Sequence, residues 1–253
     1  MNRTKIEWVQ NPDGSQGYTC NLITGCYGPG GSAEKPNRCP WCYAWRLAGE
    51  RLSDRYLANP DVIAGNPHDP FAPRWWWERQ LDIPQGGRPK GIFLNDVGDM
   101  FGDWIPSELI QVNLKILAAR PRHRFYILTK FPERLPGFNP YPPNVWVGAT
   151  ATTQQQWDAA IKGLASVQAT VRYISAEPLV GPIRAGGVCG VVDWLIIGPC
   201  TGRLADSYPC VRSWIDDLEI AATNIPVFEK DACAKLITER PLRREFPLPK
   251  EGP

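Results

Sequence analysis

The sequence lacks a dominant charge. Its 28 basic residues against 26 acidic ones leave a net +2, which excludes the strongly basic footprint of a general nucleic-acid coat. Any contact with a polyanion therefore has to be local. No apolar run approaches the ~20 residues that a membrane-spanning helix needs. The opening Met1-Asn2-Arg3-Thr4-Lys5-Ile6-Glu7 lacks the apolar stretch of a signal peptide. A cytoplasmic protein with no membrane partner is the expectation. There is no repeat of the solenoid kind and no low-complexity block. Histidine occurs only as His68 and His123, and neither stands out. His123 lies among Arg120, Arg122 and Arg124 and reads as part of a solvated basic turn.

What is present is material for a core. Hydrophobic residues make up 43% of 253 positions, which excludes intrinsic disorder. With 23 glycines and 26 prolines, many sharp turns around a regular frame are expected. Short apolar runs at 19–23, 91–94, 125–128, 145–147, 171–174, 194–197 and 226–228 read as buried strands. Helical segments are expected at 43–58, 106–119, 153–167 and 209–223. In the second of these, Leu109, Ile110, Val112, Leu114, Ile116 and Leu117 cover one broad face, and Pro106 suits the first turn.

Alternating strands and helices predict an α/β fold with parallel strands and right-handed crossovers. Six or seven such units favour a partial (β/α) barrel of about six or seven parallel strands; a doubly wound open sheet is the competitor. The expected organisation is one barrel domain over 1–239. It carries a structured insertion at 59–90, which holds Trp75-Trp76-Trp77, and an extended C-terminal tail at 240–253.

The sharpest motif is Cys26-x12-Cys39-Pro40-Trp41-Cys42, after the first predicted strand and before the first helix. Three thiols in one strand-end loop point to a metal site. Cytoplasmic thiols stay reduced, which disfavours a disulfide. Adding Cys20 would make a four-thiolate zinc site, and a redox Cys-x-x-Cys would leave Cys26 unexplained. An iron–sulfur cluster held by three cysteines explains the count, leaving a fourth iron for a substrate or cofactor. Trp41 could cover a flat ring there.

Several segments carry a resemblance. Thr4-Lys5-Ile6-Glu7-Trp8, Thr24-Gly25-Cys26, Cys39-Pro40-Trp41-Cys42-Tyr43-Ala44, Leu128-Thr129-Lys130-Phe131-Pro132-Glu133-Arg134 and Ser175-Ala176-Glu177-Pro178-Leu179-Val180-Gly181-Pro182 are similar to a phage-associated family grouped with the radical S-adenosylmethionine (SAM) enzymes. Asp193-Trp194-Leu195-Ile196-Ile197-Gly198 and Val227-Phe228-Glu229-Lys230 follow the same order. The resemblance implies a partial TIM barrel, a [4Fe–4S] cluster on Cys26, Cys39 and Cys42, and SAM on the open iron. It also implies an external electron donor and, for a phage-encoded protein, the host cytoplasm. Two features depart from that pattern: the gap between the first two cysteines is wide, and Gly198-Pro199-Cys200 stands where two glycines and a glutamate are expected.

In such a barrel chemistry collects at the strands' carboxyl ends, here Asn95, Asp96, Thr129, Lys130, Thr150, Glu177, Gly198, Cys200, Glu229 and Lys230. Read singly, Asn95, Asp96, Thr129 and Thr150 equally suit helix starts. For SAM, Asn95 and Asp96, with Asp99 beyond, are expected to take the amino group and Lys130 the carboxylate. Thr150 or Glu177 would meet the ribose, with Trp41 and the Gly198 turn at the adenine. Glu177 and Lys230 are the candidate catalytic charges, with an ion pair between them as the alternative; Cys200 could relay a hydrogen atom. The expected activity is reductive SAM cleavage to a 5′-deoxyadenosyl radical acting on a nucleotide or nucleic-acid base, with Arg120, Arg122, Arg124, Arg240, Arg243 and Arg244 as phosphate contacts. The rivals are a zinc-stabilised nucleic-acid-binding module and a non-radical SAM or nucleotide enzyme.

Overall fold

A computed structural model describes residues 1–248. Contacts within the chain group into two compact units, Met1–Lys5 with Val9–Phe131, and Ile6–Trp8 with Pro132 onward. The first holds β1 (Asn2–Arg3), β2 (Tyr18–Cys20), β3 (Ile23–Thr24), α1 (Tyr43–Gly49), α2 (Ser53–Leu57), β4 (Arg74–Trp75), β5 (Gly91–Leu94), α3 (Ser107–Ala118) and β6 (Arg124–Thr129). β2, β5 and β6 lie parallel in that order, with β1 antiparallel on β2. β3 and β4 form a separate antiparallel ladder. Every residue of β5 is buried, as a parallel strand covered on both faces requires.

Three local expectations are corrected in this unit. The run 19–23 is interrupted because Asn21 turns its amide to Asp96 (2.7 Å) and accepts the Val97 N–H (3.3 Å). The helix expected over 43–58 breaks at Glu50 (φ −108°, ψ −109°), directly after Gly49, and resumes as α2. His123 is no solvated turn residue, being only 1% exposed. Its Nδ1 accepts the Lys90 N–H and its Nε2 meets the Pro84 carbonyl at 2.8 Å, which places the ring proton on Nε2. Burial lowers its pKa. The segment 59–90 folds around one guanidinium: buried Arg74 donates to the carbonyls of Asn59, Pro67, Asp69 and Ala72. Trp76 is buried too and donates to Thr24 Oγ1.

The second unit holds β7 (Val145–Thr150), α4 (Gln154–Leu164), β8 (Arg172–Leu179), β9 (Trp194–Pro199), α5 (Arg212–Ala221) and β10 (Val227–Glu229). Its four strands are parallel in chain order. Wholly buried Trp194 anchors the core, with Trp8, Trp146, Tyr173, Phe228 and Phe246 around its ring. The tail follows β10: Glu229 N–H donates to Arg243 O and Glu245 N–H to Val227 O. Tail positions 249–253 lie outside the described residues.

The arginines expected at phosphates are largely engaged elsewhere. Arg120 is buried and donates to the carbonyls of Ile83, Ile116 and Gln80. Arg240 pairs with Glu219 and Glu229, Arg243 with Glu245, and Arg244 with Glu7 and Asp231. Each unit is thus mixed α/β with mostly parallel strands flanked by helices. No helix among the described residues is long and apolar enough to cross a membrane.

Close packing in the second unit yields a test. A Cβ on Gly163 of α4 would lie 2.4 Å from the Pro132 carbonyl oxygen, a backbone atom that cannot swing away. Alanine gains roughly 1 kcal/mol of helix propensity over glycine, but overpacking costs about 1–3 kcal/mol. Gly163→Ala should therefore lower the denaturant midpoint; a raised midpoint would show that the helix shifts freely.

Candidate active site

The cysteine loop of the first unit closes on itself, which reconciles the long spacing with convergence. Asn37 N–H donates to Tyr27 O at 2.7 Å and the Asn37 amide donates to Pro29 O at 2.7 Å. The chain so returns Cys39 toward Cys26. Gly28 has φ +79°, and a Cβ there would stand 1.9 Å from Asn37 O, so this closure requires glycine. Arg38 ties the loop to the insertion by pairing with Asp69 while lying over the rings of Trp45 and Phe71. The turn Cys39-Pro40-Trp41-Cys42 is closed by Cys42 N–H donating to Cys39 O at 2.9 Å, with Trp41 partly exposed within it.

Two thiols are prepared as acceptors. Cys26 Sγ receives the Gly28 N–H at 3.2 Å, and Cys42, the N-cap of α1, receives the Trp45 N–H at 3.3 Å. Both pack against an apolar cluster that includes Ala44, Phe71 and Val97. Burial, with further negative charge nearby, pushes the Cys26 and Cys42 pKa values up despite those bonds. Cys20 lies apart, buried in β2 with its thiol donating to Arg79 O. Among the described residues, no three His, Cys, Asp or Glu side chains are gathered to hold a single metal ion.

Lys130 is the cation of this site. Burial would lower its pKa, but Cys39, Asp99, Cys26 and Cys42 act in the opposite direction and the net shift is upward. No ion pair forms at its Nζ among the described residues. Asp99 is buried and its oxygens are already committed: Oδ1 accepts from Thr129 Oγ1 (2.7 Å) and Phe101 N–H (3.0 Å), Oδ2 from Lys130 N–H (2.9 Å). Burial raises its pKa. Asp99 thus fixes the end of β6, a positioning role that the expectation of an amino-group acceptor missed.

Asn95 also departs from its expected role. It sits at φ +61° with its Oδ1 accepting the Ile23 N–H at 2.8 Å, while its buried Nδ2 has no partner. The group it leaves unused is a donor, which suits an anion or a carbonyl better than the ammonium expected there. Asp96 bonds Asn21 and Tyr43, and burial raises its pKa.

In the second unit the ion pair between Glu177 and Lys230 is present. Gly198 makes room for it, because a Cβ would approach Lys230 Cδ to 2.9 Å. Thr150 is buried at the end of β7, level with Ser175. Cys200 is buried after β9, and burial raises its pKa. The residues missed from sequence are Arg38 and Asp69. Their signal was positional, an arginine directly before a candidate ligand.

No curated protein and no solved structure matches the chain. The resemblance to radical SAM enzymes is corrected by the family comparison, because the matching family model is not a radical SAM family and no radical SAM domain is found. That match spans the motifs from Thr4-Lys5-Ile6-Glu7-Trp8 to Val227-Phe228-Glu229-Lys230, so these short segments are accounted for by a different family. Residues 3–233 match the family described as "Protein of unknown function (DUF5131)", and the chain belongs to that family.

Proposed function

We propose that the chain is an iron–sulfur enzyme in which Cys26, Cys39 and Cys42 hold a [4Fe–4S] cluster that leaves one iron for SAM. The observation that carries this reading is convergence: Cys39, Cys26 and Cys42, together with Asp99, all lie near enough to Lys130 to favour its charged form. Thiolates bound to iron would add negative charge beside that cation. The donor set fits the group: three soft sulfurs, two of them receiving backbone N–H bonds. A single zinc ion would instead draw its donors to about 2.3 Å from one centre.

When bound, the cluster would supply the electron that cleaves the SAM sulfonium to a 5′-deoxyadenosyl radical able to abstract hydrogen. The chain's own work is positioning. Lys130 supplies positive charge beside the thiols, Asp99 anchors its backbone, and the wall of Ala44, Phe71 and Val97 limits water. The Asn95 amide offers an unused N–H donor for a carboxylate or carbonyl. The frame would be the partial (β/α) barrel expected from the sequence, the setting a reducing cytoplasm, and the substrate a nucleotide or nucleic-acid base.

The deciding experiment is anaerobic reconstitution with iron and sulfide, followed by metal analysis and reduction with dithionite in the presence of SAM. About four irons per chain, brown colour and 5′-deoxyadenosine are the expected results. Colourless protein with about one tightly held zinc would overturn the proposal.

A further inference from the structure

Next to the cysteine site, sharing Val97 with its apolar wall, the first unit contains a cavity of about 480 Å³ beside α1 and α2. Arg51, Arg55 and Arg79 line it, and none of them forms an ion pair among the described residues. Arg79 is held in place: its guanidinium lies 3.7 Å from the centre of the Trp76 ring and donates to Asn21 O at 2.8 Å. Arg55 is near enough to depress the Arg79 pKa further, after burial. Guanidinium groups held on one wall favour an anion beside them.

The two carboxylates on the cavity wall do not fill that need. Asp82 is engaged by the Met1 amino group at 2.7 Å. Asp96 is satisfied by Asn21 and Tyr43. We infer that this cavity binds a phosphorylated small molecule of nucleotide size, with the phosphate on Arg51, Arg55 and Arg79. Guanidinium forks match phosphate oxygens. The volume falls in the range of about 300–1,000 Å³ typical of small-molecule sites, far more than a lone phosphate needs. Tyr43 and Tyr56 supply aromatic surface on the same wall. This inference is independent of the cluster.

The test is calorimetric titration of the purified full chain with AMP, adenosine, inorganic phosphate and a single-stranded oligonucleotide. AMP should bind more tightly than adenosine or phosphate. Arg55→Ala and Arg79→Lys should each weaken it about tenfold or more, the change expected for losing one charge-assisted hydrogen bond. Lys115→Ala, at an exposed position of α3 that is not among the cavity-lining residues, should leave binding unchanged. Arg55 is exposed, and with an unchanged thermal midpoint in Arg55→Ala, unaltered AMP binding would overturn the proposal. Phosphate binding as tightly as AMP would overturn it too, as would an oligonucleotide that binds through these arginines when AMP does not.

Discussion

Cys26→Ala should abolish iron incorporation, taking reconstituted protein from about four irons per chain to background, whereas Cys20→Ala should retain the full complement. The contrast follows from where the thiols lie. Cys26 Sγ already accepts the Gly28 N–H and sits with Cys42 against the same apolar wall. Cys20 is buried in β2 and its thiol is turned to the Arg79 carbonyl. With one of three anchoring sulfurs gone, two cannot hold a cubane against dissociation, and the effect should be close to all or none. Iron and sulfide analysis with the visible absorption spectrum measures it. Equal iron loss in Cys20→Ala would instead point to a four-thiolate site and remove the open iron from the proposal.

The frame was legible because buried parallel strands announce themselves as short apolar runs. The run at 91–94 is β5 residue for residue, and 194–197 forms most of β9. The two-residue pieces β1, β3 and β4 were not legible, since their ladders are set by partners distant in sequence, as Ile23 pairs with Trp75. The cysteine trio was visible in spacing alone. Its closure was not, because it depends on Asn37 meeting Tyr27 and on Arg38 reaching Asp69. Roles assigned from side-chain type fared worst where the backbone had a prior claim. Asn95 gives its oxygen to Ile23 N–H and Asp99 gives both of its oxygens to the end of β6.

Arg240→Ala should cost about 3–5 kcal/mol of stability, the usual consequence of leaving a buried charge without its partner. The Glu229 side chain is 0% exposed at the end of β10, and both of its oxygens accept from Arg240. Arg243 N–H adds a further bond to the same carboxylate. Burial alone would raise the Glu229 pKa, but these bonds outweigh it and hold it low. Its neighbour Glu219 moves the opposite way, up to about 7, through burial and the nearby Glu229 charge. The signs then separate the two acids. A depressed Glu229 contributes stability above its unfolded value, lost as pH falls through the folded one. A raised Glu219 favours the protonated fold, so its contribution declines as pH climbs from about 4.5 through about 7. Without Arg240, Glu229 can escape its penalty only by taking up a proton, so the variant's deficit should be larger at pH 8 than at pH 5.5. Glu219→Gln keeps an oxygen for Arg240 while removing the titration, and should flatten the fall in thermal midpoint between those two pH values. Thermal unfolding of the three proteins at both pH values tests this, and a deficit in Arg240→Ala that is equal at pH 5.5 and 8 would show that Glu229 is not the charge being neutralised.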